Sequence, residues 1–225
     1  MKKFIKNLPI AGTIAQYIYF KWINPPKPFP GSENYWIERY ESGGNSGDGS
    51  YNILAEFKAE ILNGFIREEN IETIIEFGCG DGNQLRLANY KSYIGFDVSL
   101  KAISMCKNIF AGDCTKKFIL MKDYNEETAH LTISLDVIFH LIEDIIFNEY
   151  MHRLFDSAER FVIIYSSNIC YRPDEGVHIK HRKFTQWIEE NRSQWQLRSF
   201  IPNRHPFKGD TNSGSFADFY IYEKA

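Results

Sequence analysis

The sequence predicts an α/β protein: a doubly wound, mainly parallel sheet with helices on both faces and one antiparallel strand at the C-terminus. Three observations predict it. From residue 71 onward, short apolar runs alternate with helical segments, as strands and their crossover helices do. The first run ends in a glycine-rich turn, Gly78-Cys79-Gly80-Asp81-Gly82. The second run closes on an acid, Asp97, 19 positions after Gly78.

The elements follow in order. Ile53–Glu68 reads as a helix because Leu54, Phe57, Ile61, Leu62 and Phe65 recur on one face. Ile71–Phe77 is the first strand, and Leu85–Asn89 lies in the helix expected after it. Tyr93–Phe96 is the second strand and Leu100–Phe110 the second helix. Lys117–Met121 is the third strand. Leu131–Leu135 is the fourth, followed by a helix over Phe139–Phe155. Arg160–Ser166 is the fifth, and its Val162-Ile163-Ile164-Tyr165 run suits a strand buried on both faces. Phe216–Tyr222 is the late antiparallel strand.

Upstream, Asn24-Pro25-Pro26-Lys27-Pro28-Phe29-Pro30 breaks any helix and sets a boundary. Residues 1–30 form a basic helical extension with a proline-rich connector, and residues 31–225 form the domain. Phe4–Ile23 is apolar but interrupted by Lys6, Asn7, Pro9, Gln16 and Lys21, too polar for a membrane span. No small-residue cleavage site follows a clean apolar run, so no signal peptide is expected. Two readings are open: an interfacial amphipathic helix touching a membrane peripherally, or a helix packed on the domain. A cytoplasmic protein is expected either way.

Charge and cysteines narrow the function. The chain carries −3 overall, with +5 in residues 1–30, +3 in residues 171–210 and about −10 in residues 31–170. A cofactor core with basic arms suits an anionic partner, and ordinary surface charge is the other reading. No DNA partner is expected. Cys79, Cys106, Cys114 and Cys170 form no CxxC pair and no zinc spacing, so reduced, mostly buried thiols are expected and no metal.

The strongest motif is Ile74-Ile75-Glu76-Phe77-Gly78-Cys79-Gly80-Asp81-Gly82-Asn83. Glycines let a backbone approach a ligand, and N–H groups at a helix start can meet an anion. A dinucleotide fingerprint needs its third glycine at position 83, which is Asn. Glu76 would repel a pyrophosphate but suits a cation or an amine. Asp97 stands where an acid binds a ribose diol in nucleoside-binding folds.

With these residues in hand, the chain resembles class I S-adenosylmethionine-dependent methyltransferases, with a Rossmann-like methyltransferase fold. The resemblance covers residues 71–168 through I-I-E-F-G-C-G-D-G, the F-D-V-S step and the S-L-D-V-I-F-H-L-I-E-D segment. Three flanking segments, R-Y-E-S-G-G-N-S-G-D-G-S-Y, F-V-I-I-Y-S-S-N and S-F-A-D-F-Y-I-Y, resemble a bacterial subgroup that modifies glycans or small metabolites. The resemblance implies S-adenosylmethionine as cofactor and S-adenosylhomocysteine as product. It implies that Glu76, Gly78, Cys79 and Gly80 line the methionine moiety and that Asp97 holds the ribose, with Val98 beside it. It implies Asp123 at the adenine amine, with Asp113 as rival, and Leu135 and Asp136 flanking the cofactor.

Methyl transfer needs an aligned nucleophile and, for a hydroxyl, a base. His140, after the fourth strand, is the first candidate base, with a packed core histidine as the other reading. Asp136 could orient it from four residues earlier on a helical face, or contact the cofactor. His178 and His181, with Lys180 and Arg182, could bind an anionic substrate or form a solvated basic loop. Gly43–Ser50, bordered by Trp36, Tyr40 and Tyr51, suits a lid over the site, with Tyr40, Ser46 and Ser50 closing on it. The expected activity is methyl transfer to a hydroxyl of a small polar or anionic acceptor, such as a glycan or its precursor. The alternatives are an RNA methyltransferase, which the charge of −10 in residues 31–170 disfavours, and a non-catalytic nucleoside-binding or scaffold protein. An NAD-dependent oxidoreductase is disfavoured by Glu76 and Asn83.

Overall fold

A computed structural model describes residues 28–170 and 176–225. The chain divides into two units, Met1–Pro30 and Gly31–Ala225. The helix read over Phe4–Ile23 lies outside the described residues. Among the described residues no helix is long and apolar enough to cross a membrane.

The second unit begins with α1 (Ser32–Glu41) and α2 (Asn52–Glu68). Then come β1 (Thr73–Phe77), β2 (Ser92–Asp97), α3 (Leu100–Ile109), β3 (Lys116–Leu120) and β4 (Ala129–Leu135). It ends with α4 (Asp144–Asp156), β5 (Ala158–Ser166), α5 (Phe184–Asn191), β6 (Trp195–Ile201) and β7 (Asp218–Lys224). The strands form one sheet in the order β3-β2-β1-β4-β5-β7-β6. Strands β1 to β5 pair in parallel, and β7 runs antiparallel to both of its neighbours. Strand β6 therefore points the same way as the first five, so among the described residues β7 is the single antiparallel strand.

The alternation of side chains along each strand builds two cores. Ile74, Tyr93, Ile133, Phe161, Ile163 and Phe219 face Leu62 and Ile66 of α2 and Ile103 and Cys106 of α3. Ile75, Phe77, Phe96, Val162, Ile164 and Tyr220 face Phe147, Met151 and Leu154 of α4 and Ile188 of α5. Each fully buried Leu, Ile or Phe contributes about 1.5–3 kcal/mol. The neighbours on either side of β1 lead the chain in opposite directions, so the C-terminal ends of β1 and β4 flank a crevice where ligands bind in such sheets.

Three expectations are corrected. The glycine turn is followed by a single 3-10 turn, Gln84–Leu87, rather than a helix over Leu85–Asn89. Helix α2 already covers that layer and takes up the segment's polar groups. Gln84 Nε2 donates to the Ala55 carbonyl, and Asn63 bonds the Leu87 carbonyl and the Asn89 N–H. The helix expected from Phe139 begins only at Asp144, after a 3-10 turn over Ile138–His140. Here Ser32 Oγ accepts the Ile142 N–H, and Arg182 bonds the carbonyls of Leu141 and Ile142, so no helical ladder is needed. Finally, only Cys79 and Cys106 are buried, whereas the thiols of Cys114 and Cys170 are exposed. Helix α5 and strand β6 had no counterpart in the sequence reading. Residues Gln196, Arg198 and Ser199 give β6 an exposed, polar edge that lacks a strand's apolar signal.

Candidate active site

Glu76, the last residue but one of β1, has its carboxylate buried, where Oε2 accepts the Tyr93 hydroxyl at 2.5 Å. Burial pushes its pKa up to about 7, against the opposing pull of the Tyr93 bond and the Lys58 charge. The turn that follows holds Gly78, Gly80 and Gly82 at φ of 85, 60 and 78°, in the left-handed region that favours glycine. A Cβ on Gly78 would stand 2.5 Å from Val137, and one on Gly80 would stand 2.3 Å from Ser46 Oγ. Asp97 closes β2 and grips this turn: its Oδ2 accepts the Gly80 N–H at 3.0 Å and its Oδ1 the Ser99 N–H at 2.9 Å. Burial raises Asp97 to about 6 despite those two donors.

A cleft of about 330 Å³ opens at the C-terminal ends of these strands. It brings together most of the residues expected from the sequence. Glu76, Gly78, Cys79, Gly80, Asp97 and Val98 line it on one side, and Leu135, Asp136 and His140 on the other. Met121 and Lys122 line its far end, while Asp123 is exposed and outside the lining. Asp113 does not replace it, being bonded to Thr115 and Lys116 at the start of β3. A second depression, beside Phe110 and Lys116 at the β3 edge, carries none of these groups.

Sequence reasoning missed Lys58 and Gln84, and both line the cleft. Lys58 sits fully buried on α2, its Nζ 2.7 Å from Asp136 Oδ2. Removing one partner of such a pair costs about 3–5 kcal/mol, because the other is left charged and buried. Asp136 itself is held at φ 59°, a strained conformation of the kind that collects at functional sites. Gln84 Oε1 is buried with no hydrogen-bond partner among the described residues. The residues around Lys58 in α2 read only as an amphipathic face, so no local signal marked it.

The Gly43–Ser50 loop lies over the glycine turn. Asp81 Oδ2 accepts the Ser46 N–H at 2.9 Å and the Tyr51 hydroxyl at 2.7 Å. Ser46 Oγ in turn accepts the Asp81 N–H and pairs with the Tyr40 hydroxyl, and Asn83 Nδ2 bonds the Ser50 carbonyl. Ser46, Ser50, Tyr40 and Trp36 all line the cleft.

The histidines part company. His140 lines the cleft, and its Nδ1 lies 2.9 Å from the His178 carbonyl. Asp136 does not orient it, because no α-helix joins the two and Asp136 is engaged by Lys58. His178 stands outside the lining, stacked between Tyr35 and His140. His181 is buried, bonded to Ser167 Oγ and packed on Phe139 and Phe216, and is a core histidine. Its basic neighbours are engaged too. Lys180 and Arg182 both bridge Asp144, while Arg192, Arg198 and Arg204 pair with Asp156, Glu69 and Glu60. The positive charge of residues 180–204 is thus largely knitted into the domain, which favours the surface-charge reading over an anion site.

No protein-family model matches the chain, and no curated protein does. Its fold is similar to solved structures of methyltransferases. One is the N-methyltransferase NodS from Bradyrhizobium japonicum WM9 with S-adenosyl-L-homocysteine, at TM-score 0.65 and 11% identity over 86% of this chain and 98% of that one. Another is magnesium protoporphyrin IX methyltransferase (ChlM) from Synechocystis PCC 6803, at TM-score 0.58 and 14% identity over 95% and 99%. A third is the methyltransferase domain of bacterial CtHen1, at TM-score 0.54 and 19% identity over 74% and 97%. The chain has the fold of class I S-adenosylmethionine-dependent methyltransferases.

Proposed function

We propose that this chain is an S-adenosylmethionine-dependent methyltransferase, with residues 31–225 as its catalytic unit. The observation that carries the reading is the pair of buried carboxylates, Glu76 and Asp97, on either side of the glycine turn in one cleft. The residues present fit the cofactor. Asp97 has lone pairs left for a ribose diol. Glu76 and the orphaned Gln84 Oε1 form an acceptor set for an ammonium group, and Lys58 stands nearby for a carboxylate. When bound, the cofactor supplies a methyl group on a positively charged sulfur. The protein's own work is to hold that group dry and to align the acceptor.

The acceptor in this reading is a hydroxyl of a small polar molecule, a class that includes glycans and their precursors, with His140 as the group that takes up its proton. The RNA reading lacks support from the described surface, because the arginines of residues 182–204 are tied to acids of the domain. The test is a calorimetric titration with S-adenosylmethionine, S-adenosylhomocysteine and NAD, on the wild type and on Glu76→Ala/Asp97→Ala. Binding of both adenosyl ligands that is lost in the double variant, with no binding of NAD, is expected. A folded protein that binds neither adenosyl ligand overturns the reading.

A further inference from the structure

His140 is set in a wall of rings. Tyr35 stacks on His178 with ring centroids 4.7 Å apart and planes 10° apart. His178 stacks on His140 at 5.5 Å and 13°. Trp36 meets His140 edge-on at 4.9 Å and Tyr35 edge-on at 5.6 Å. Two of the rings thus come from α1 and two from the segments after β4 and β5. The stack fixes the plane of the His140 ring, and the His178 carbonyl fixes which nitrogen carries its hydrogen. A carbonyl can only accept, so Nδ1 is the donor in the bond between them. Among the described residues no group bonds Nε2, and the ring lines the cleft.

We propose that Tyr35 and His178 are positioning residues that lock His140 as the Nδ1–H tautomer, presenting the bare Nε2 lone pair to a substrate atom that carries a hydrogen. The acceptor then arrives as an uncharged hydrogen-bond donor, not as an ionised carboxylate or phosphate oxygen. Burial supports the neutral ring, lowering the His140 pKa to about 4. The charges that face it, from His178, Arg39 and His181, all act in the same direction, and only the carbonyl bond opposes them. This inference reassigns His178 from a candidate catalytic group to the support of one. It also explains why the basic residues beside it are free to bridge Asp144 instead of meeting substrate.

The proposal rests on the methyltransferase reading of the cleft, but its test needs no cofactor, so the two can fail separately. Full-length protein labelled with 15N-histidine is observed by long-range 1H–15N NMR, with His140→Gln assigning the signal. The expected result is a neutral ring with Nδ1 protonated and Nε2 bare at neutral pH. Tyr35→Leu then mixes the tautomers, whereas Tyr35→Phe, which keeps the ring, retains the wild-type pattern. Phenol, a planar donor, shifts the Nε2 signal, and benzoate, a planar anion without a donor, does not. An Nε2–H tautomer or an imidazolium at neutral pH overturns the proposal. So does a tautomer indifferent to Tyr35→Leu in a folded variant, a shift with benzoate, or no shift with phenol.

Discussion

Glu76 and Asp97 place two buried carboxylates in the cleft, and burial raises the pKa of both. The native state therefore keeps their protons at a pH where the unfolded chain has lost them. Their contribution to stability is present at low pH and fades as pH rises through about 6 for Asp97 and about 7 for Glu76. A cation bound beside them favours the ionised forms. The increase in melting temperature given by S-adenosylmethionine is therefore expected to grow as pH rises through this same window, and Glu76→Gln is expected to flatten that growth. Thermal melts with and without ligand from about pH 5 to about pH 8 read both slopes. A ligand effect independent of pH contradicts the pairing. The places of these two acids in the cleft were legible in the sequence because they follow from spacing along adjacent strands. Lys58, Gln84 and the His178 carbonyl were not, since each acts across a long separation, 78 residues for Lys58–Asp136 and 38 for His140–His178.

The strap between α1 and α2 shows the same contrast at the scale of elements. Its glycines and hydroxyls marked it as a lid, and it does border the cleft. What the sequence left unread is the latch, because Asp81 belongs to the glycine turn and accepts the Asn83 N–H there with Oδ1, yet gives its Oδ2 to Ser46 and Tyr51. Hydrogen bonds to a charged group contribute about 1.5–3 kcal/mol each, enough to hold a loop that buries little apolar surface. Asp81→Ala is expected to speed amide exchange across residues 45–51 while the sheet stays protected, and to weaken adenosyl-ligand binding roughly tenfold, the loss of one such contact. Hydrogen-exchange mass spectrometry checks it, and an unchanged loop contradicts the latch. The β1–β2 connection was misread for a related reason. Its 3-10 turn is shaped by what α2 offers to Asn89 and Gln84, which no local pattern encodes.

At the scale of the molecule, the fold was legible because the alternating apolar runs specify both the parallel sheet and its two faces. The C-terminal hairpin was half legible. The run Phe219–Tyr222 is buried and apolar and announced β7, whereas β6 is an edge strand with exposed Leu197 and Phe200 among polar neighbours. The charge pattern was legible as numbers but not as contacts, since the basic C-terminal stretch pairs with acids spread from Glu60 to Glu223. All of these elements converge on one claim, that the crevice at the ends of β1, β2 and β4 is an adenosyl-ligand site. A crystal structure of the protein grown with S-adenosylhomocysteine tests it most directly. The ligand is expected in this cleft, its ribose hydroxyls on the Asp97 carboxylate and its amino group beside Glu76 and Gln84. Ligand bound elsewhere, or in the cleft with its ribose away from Asp97, would contradict it.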